Sequence, residues 1–209
     1  MAVQVKICGI KTPEALSASV EAGARFIGFV FYPPSPRHVE IDIAFELVQM
    51  LPTGVRAVGL FVDPTDEQLS AVTGRVQLDM IQLHGAETKE RVEEIKQKFG
   101  LPVMKALAIG SADDLQKIAQ YEEVADWVLC DTPSPQHGGS GQSFDWSLLK
   151  DYEFQKPWML AGGLKPENVG EAVKMLHPTA IDVSSGVESA RGVKDETKIQ
   201  AFLAGVKGL

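Results

Sequence analysis

Cysteine is scarce in this chain, with only Cys8 and Cys130 among 209 residues. The opening MAVQVKICGI also lacks the charged n-region, apolar h-region and cleavage site of a secretion signal. Two thiols in such a context read as reduced side chains rather than a disulfide, and the expected location is the cytoplasm. Long apolar runs are missing too: no stretch approaches the roughly 20 residues of a membrane span, so no membrane partner is expected. Basic charge is outnumbered, 20 Lys and Arg against 28 Asp and Glu, for a formal charge of −8. A binder of duplex nucleic acid or anionic lipid needs a basic face, and neither is an expected partner. Any anionic ligand must therefore be held locally. Histidine is limited to His38, His84, His137 and His177, with no HxH, HxxxH or CxxC spacing. No GxGxxG follows the first apolar run, so neither a metal nor a dinucleotide cofactor is expected.

What is present is a repeating unit. Short β-rich runs recur eight times: VQVKIC, RFIGFVF, VRAVGLFV, DMIQLHG, LPVMKALAI, ADWVLCD, PWMLAGG and AIDVSSG. Their near-continuous apolar character suits parallel strands covered on both faces. Between most of them lie helical spacings, such as Ile43, Leu47, Met50 and Leu51, or Val92, Ile95 and Phe99. Thr12-Pro13 and Lys165-Pro166 put proline in a first helical turn, and Gly100 and Gly208 sit where helices should end. After the sixth run, TPSPQHGGSGQS forms a long loop before the short, helix-like FDWSLLKDY. A long loop in a compact domain is usually functional or mobile, and this one is expected to order over a ligand as a lid. Residues 1–209 are expected to form a single domain, since the chain buries one sizeable core and is short for two. Eight βα units mean an open doubly wound sheet or a closed (β/α)8 TIM barrel. A barrel needs roughly 200 residues, and the count of eight has meaning only for the barrel, which is the α/β fold expected.

Barrel chemistry sits at the C-terminal strand ends. There the sequence places Cys8, Arg37 just beyond run two, His84, Asp131, Gly162-Gly163, and Asp182 with Ser184-Ser185-Gly186. Glycine lets backbone N–H groups approach an anion, so AGGL and SSGVE after runs seven and eight are a candidate phosphate site; the same glycines also suit plain tight turns. Arg37 lies in YPPSPRHV, where three prolines stiffen the loop and a guanidinium can meet a ligand carboxylate; pairing with Glu40 or Asp42 is the alternative. Asp131 ends an apolar strand, where a partly desolvated carboxyl can keep a proton near neutral pH and act as a general acid; a turn cap is the other reading, and the one Asp63 suits. His84 shapes the mouth or is an ordinary structural histidine. By strand alternation Cys130 points toward the helices if Asp131 faces the mouth. Cys8 ends its strand just before Gly9, where a thiol either packs or faces ligand. Runs one and six lie three steps apart in a ring of eight, so Cys8 and Asp131 would flank the pocket as base and acid. That arrangement suits a metal-free isomerase.

In their order and spacing, KICGI, GFVFYPPSPRHV, VGLFVD, IQLHG, LCDT with GGSGQSFDW, LAGGLKPENV, and IDVSSGVE with GVKD resemble the phosphoribosylanthranilate isomerases of tryptophan biosynthesis over nearly the whole chain. The resemblance implies a cofactor-free Amadori rearrangement of N-(5′-phosphoribosyl)anthranilate on a (β/α)8 barrel. It implies Asp131 as the general acid that protonates the ribose ring oxygen and Cys8 as the base that takes the proton from the second sugar carbon. Arg37 then lies near the anthranilate carboxylate, Asp182 and His84 line the substrate pocket, and Gly162, Gly163, Ser185 and Gly186 hold the phosphate. Ser140 stands where threonine is common, a conservative change. Backbone donors and bound ligand are expected to favour the Cys8 thiolate. The rivals are the histidine-pathway aldose–ketose isomerase, opposed by Cys8 and by Lys105 within run five, a metal-dependent pentulose-phosphate epimerase, opposed by the histidine spacing, and a non-catalytic phosphometabolite binder, opposed by retention of Cys8 and Asp131. Nothing in the sequence requires more than a monomer.

Overall fold

Eight parallel strands close into one ring in a computed structural model that describes residues 3–133 and 145–209. The strands are β1 (Gln4–Cys8), β2 (Phe26–Val30), β3 (Arg56–Phe61), β4 (Met80–Leu83), β5 (Val103–Ala108), β6 (Trp127–Asp131), β7 (Trp158–Leu160) and β8 (Ala180–Val183). Each pairs with its neighbours in sequence, and β1 closes on β8 with Lys6 opposite Asp182. Outside lie α1 (Pro13–Ala22), α2 (Ile41–Gln49), α3 (Asp66–Thr73), α4 (Lys89–Phe99), α5 (Leu115–Glu122), α6 (Val169–Leu176) and α7 (Glu196–Ala204). This is the (β/α)8 barrel.

Strand alternation separates two cores. Ile7, Ile27, Phe29, Ile81, Leu83, Val128 and Ile181 turn outward and pack under the helices, whereas Phe26, Val58, Met80, Met104, Leu129, Met159 and Ala180 turn inward as an apolar floor. Fully burying one such side chain contributes about 1.5–3 kcal/mol, so these two cores supply the stability. Above the floor the inward positions become polar: Lys6, Gln82, Asp131 and Asp182 are all buried. Burying polar groups is costly unless they are paired, which marks this upper layer as the one shaped for chemistry.

Local signals account for most helix starts. Thr12 caps α1 by accepting from the Ala15 N–H, with Pro13 in the first turn, and Gly100 ends α4 in the left-handed conformation. Two readings need correction. Pro166 opens a turn rather than a helix, because the Asn168 side chain accepts from the Lys165 N–H (2.9 Å) and donates to the Gly163 carbonyl (3.0 Å), delaying α6 to Val169. Helix α7 stops at Ala204, capped by Gly205, and Gly208 (φ 88°) belongs to the turn beyond. After β6, FDWSLLKDY forms only a 3-10 turn over Trp146–Leu149, where Asp145 accepts from the Ser147 N–H. The lid expected in TPSPQHGGSGQS, residues 132–143 with His137 and Ser140, lies from residue 134 onward outside the described residues. Unforeseen is a two-stranded antiparallel pair, β9 (Glu188–Ala190) and β10 (Val193–Lys194), after β8.

Candidate active site

Cys8, the last residue of β1, faces inward and is 4% exposed. It packs with Val30 and Leu60, against which Tyr32 and Val62 also lie, so one wall beside the thiol is apolar. Two positions earlier on the same face, the Lys6 ammonium donates to Asp182 Oδ1 (2.8 Å) and faces the Cys8 sulfur. Burial pushes the Cys8 thiol up; Lys6 and, less strongly, Lys194 pull it back, Asp182 adds to the rise, and the net direction is upward. Burial alone would lower Lys6, but Asp182 and Cys8 hold its ammonium above the ordinary range. Besides the backbone donors and bound ligand expected to favour the thiolate, the structure sets a side-chain cation, Lys6, beside Cys8. Cys130, by contrast, lies in the outer core, and burial pushes its thiol far up.

Arg37 crosses behind Gly9, whose backbone (φ 84°) leaves no space for a side chain: a Cβ there would stand 3.0 Å from Arg37 Cδ. Its partner is neither Glu40 nor Asp42. Glu188 takes the fork bidentately, with Nε donating to Oε1 (2.7 Å) and Nη2 to Oε2 (2.9 Å). Glu188 also accepts from Lys194 Nζ (2.8 Å) and the Gly192 N–H (3.1 Å). Burial alone would raise Glu188, yet Arg37 and Lys194 hold its carboxyl below the usual range. Burial leaves Lys194 below its ordinary range although Glu188 opposes this. A ligand carboxylate would therefore meet a guanidinium already oriented by Glu188.

Asp131 ends β6, three strands around the ring from β1. Its Oδ1 accepts from the Thr132 N–H (2.7 Å), and Oδ2 stands 3.3 Å from His84 Nε2. The other ring nitrogen of His84 lies 3.0 Å from the Gln82 amide, one inward position earlier on β4. With that amide as donor, His84 carries its proton on Nε2 and donates to Asp131. His84 is held from behind by the loop after β4, where Glu87 accepts from the Asp63 and Gly85 N–H groups and pairs with Lys105 Nζ (2.9 Å). Lys105 thus shares the outward face of Val103 and Leu107 and takes no part in the mouth, which removes it from the argument against the histidine-pathway enzyme.

Gly162 (φ 84°) and Gly163 (φ 64°) turn the chain after β7 through conformations that L side chains rarely adopt. Gly186 is required for another reason, since a Cβ there would stand 1.9 Å from the Leu164 carbonyl oxygen. The loops after β7 and β8 are therefore seated directly on each other, with Gly186 against the backbone of Leu164 and Lys165. Ser184 Oγ ties this corner to β1 by donating to the Cys8 carbonyl (3.0 Å). Cys8, Arg37, His84, Asp131, Gly162, Gly163, Asp182, Ser185 and Gly186 thus belong to the C-terminal ends of the strands or the loops that follow them. Sequence reasoning passed over Lys6, Gln82, Glu188 and Lys194. For Lys6 and Gln82 the signal was available: each precedes a chosen residue by two and so shares its inward face.

A (β/α)8 barrel with a thiol, a carboxyl and two glycine loops at the C-terminal ends of its strands defines the class of barrel enzymes that work on small ligands at that face. The family follows from comparison. Residues 5–204 match the family described as N-(5′-phosphoribosyl)anthranilate (PRA) isomerase. The N-(5′-phosphoribosyl)anthranilate isomerases of Paracoccus denitrificans and Paramagnetospirillum magneticum are 53% and 52% identical, covering 98% and 100% of this chain and 97% and 99% of theirs. The crystal structure of phosphoribosyl anthranilate isomerase from Thermotoga maritima superposes with a TM-score of 0.91 at 42% identity, covering 99% of this chain and all of that one. The chain belongs to this isomerase family. Another structure, at 40% identity, a TM-score of 0.88 and the same coverage, holds reduced 1-(o-carboxyphenylamino)-1-deoxyribulose 5-phosphate.

Proposed function

We propose that this protein catalyses the conversion of N-(5′-phosphoribosyl)anthranilate to 1-(2-carboxyphenylamino)-1-deoxyribulose 5-phosphate in tryptophan biosynthesis, by acid–base catalysis without a cofactor. What supports the mechanism is that Cys8 ends β1 and Asp131 ends β6, both facing the barrel interior at its C-terminal end and three strands apart around the ring. Asp131 delivers a proton to the ring oxygen of the ribose, the carbon–oxygen bond breaks, and the nitrogen lone pair forms the Schiff base. Cys8 removes the proton from the second sugar carbon; the electrons move to the nitrogen, and the resulting enolamine tautomerises to the ketone. Arg37 receives the anthranilate carboxylate, the apolar wall of Val30, Leu60 and Tyr32 suits its ring, and Gly162, Gly163, Ser185 and Gly186 receive the phosphate. Asp182, with its second oxygen available beside Lys6, and His84, against Asp131, face the sugar.

The charges suit such a ligand. Lys6, Arg37 and Lys194 are three buried cations against the carboxylates of Asp182 and Glu188; with Asp131 carrying the proton it delivers as the acid, one positive charge is left for an incoming anion in a protein that is acidic as a whole. The same reading has the enzyme working as a monomer in the cytoplasm, since each proposed role falls within one chain. Among the described residues, no helix is long and apolar enough to cross a membrane. The test is turnover of freshly prepared phosphoribosylanthranilate by the purified protein. Formation of the carboxyphenylamino-deoxyribulose phosphate is expected, and a folded protein that leaves the substrate unchanged would overturn the assignment.

A further inference from the structure

Lys6 is the most deeply buried cation of the barrel, 0% exposed, and nothing so far explains why a lysine should occupy the interior directly under Cys8. Among the described residues its Nζ pairs with one carboxylate, donating to Asp182 Oδ1 at 2.8 Å, which engages one of three N–H donors. The neighbouring cation, Lys194, is placed differently: it donates to the Ser184 carbonyl, Ser184 Oγ and Glu188 Oε1, a full set. Among the described residues Lys6, in contrast, turns a further donor toward the Cys8 sulfur. The facing strand is cut away to admit the pair. Gly28 stands opposite Cys8 in the β1–β2 register, and a Cβ there would lie 2.9 Å from Cys8 Sγ and 3.1 Å from Lys6 Nζ. Any other residue on β2 would wedge into the space the sulfur and the ammonium share.

We propose that Lys6 is a positioning residue for the base: its ammonium, seated beneath Cys8 Sγ, donates to the thiolate and stabilises it, while Asp182 keeps Lys6 charged and aimed. The proposal rests on the reading of Cys8 as the base. Lys6 is unsuited to forming an imine with the sugar, because an amine held as an ammonium by a buried carboxylate has no free lone pair. The ionisable groups facing Cys8 are Lys6 on its own strand, Asp182 on β8 and Lys194 on β10; β2 presents Gly28 and Val30, neither of them ionisable. Of these, Lys6 acts most strongly in favour of the thiolate.

The experiment follows the Cβ chemical shift of Cys8 through a pH titration, with carbon-13-labelled cysteine, in the ligand-free protein; Cys130, fully buried in the outer core, is the internal reference. In Lys6→Met the Cys8 midpoint is expected to move up by about one pH unit or more, and kcat/KM at neutral pH to fall about tenfold or more and recover at higher pH. In Asp182→Asn the amide oxygen still accepts from Lys6 and keeps it aimed while the opposing negative charge is lost, so the midpoint is expected to move down. A merely structural Lys6 predicts otherwise: losing it would loosen the barrel, relieve burial and move the midpoint down in both variants. If Lys6→Met fails to fold, Lys6→Met/Asp182→Asn removes both charges, and its midpoint is expected to lie above that of Asp182→Asn alone. An unchanged or lowered midpoint in the folded Lys6 variant would overturn the proposal. Because the titration needs no turnover, it stands apart from the test of Cys8 as base: an active Cys8→Ala enzyme would sink that reading whatever the thiol midpoint does.

Discussion

Lys6 and Asp182 form an ion pair with side chains 0% and 9% exposed. Such a pair is costly to break from one side, because the remaining charge is left buried without compensation. Lys6→Met is accordingly expected to lose about 3–5 kcal/mol of unfolding free energy in urea. Replacing both partners together should cost less than that single change, and equal costs would contradict the buried-pair account. The two thiols make the complementary comparison. Cys130 is a small hydrophobe in the outer core, so Cys130→Ala should keep kcat within about twofold and cost on the order of 1 kcal/mol. Because Cys8 is held above the ordinary thiol range by burial, kcat/KM should still be rising with pH at about pH 9, as more of the base becomes thiolate. A profile already flat from pH 6 to 9 would show that a different group is the base.

Among the elements, the loops after β7 and β8 depend on a glycine for contact rather than for backbone conformation. Gly186→Ala would force the second loop off the Leu164 carbonyl, so KM should rise at least about tenfold, with inhibition by inorganic phosphate weakened in parallel. A variant with unchanged KM and unchanged phosphate inhibition would dissociate this junction from the phosphate. The turn before α5 offers a pH test. Asp114 accepts from the Gly110 and Ser111 N–H groups, and its ion pair with Lys117, together with these bonds, lowers its carboxyl to about 2. A folded-state value below the unfolded one means the carboxylate stabilises the fold above about pH 4 and that this contribution fades as pH falls toward 2. Asp114→Asn should therefore lower the melting temperature at pH 7, and the difference from the native protein should shrink at pH 2. A constant difference across that range would contradict the assignment.

Taken as a whole molecule, the barrel was legible because its apolar runs come eight times and several of them end in a chemically distinct residue. Cys8, Arg37, His84, Asp131, Asp182 and the glycine loops could be gathered at one face from strand order alone. What could not be read is how those residues are held. Glu188 and Lys194 lie beyond the last strand, on β9 and β10, and nothing local in GVE or GVKD reveals that they fold back onto Arg37, 151 residues away from Glu188 in sequence. Lys6 could be placed on the inward face from its spacing to Cys8, but its partner could not be read, because Asp182 comes opposite it only when β1 closes on β8. Pro166 misled because a proline-led turn and a proline-led helix begin alike, and the Asn168 side chain decides between them.

The central claim is that Cys8 and Asp131 are the base and acid of the rearrangement. It is tested most directly by kcat for phosphoribosylanthranilate in Cys8→Ala and Asp131→Ala, alongside the affinity of each variant for the reduced product analogue. The account predicts that each variant folds, binds the analogue within a few-fold of the native protein, and loses roughly a hundred- to ten-thousand-fold in kcat. A folded Cys8→Ala enzyme that turns over at close to the native rate would contradict it and return Cys8 to the packing of β1.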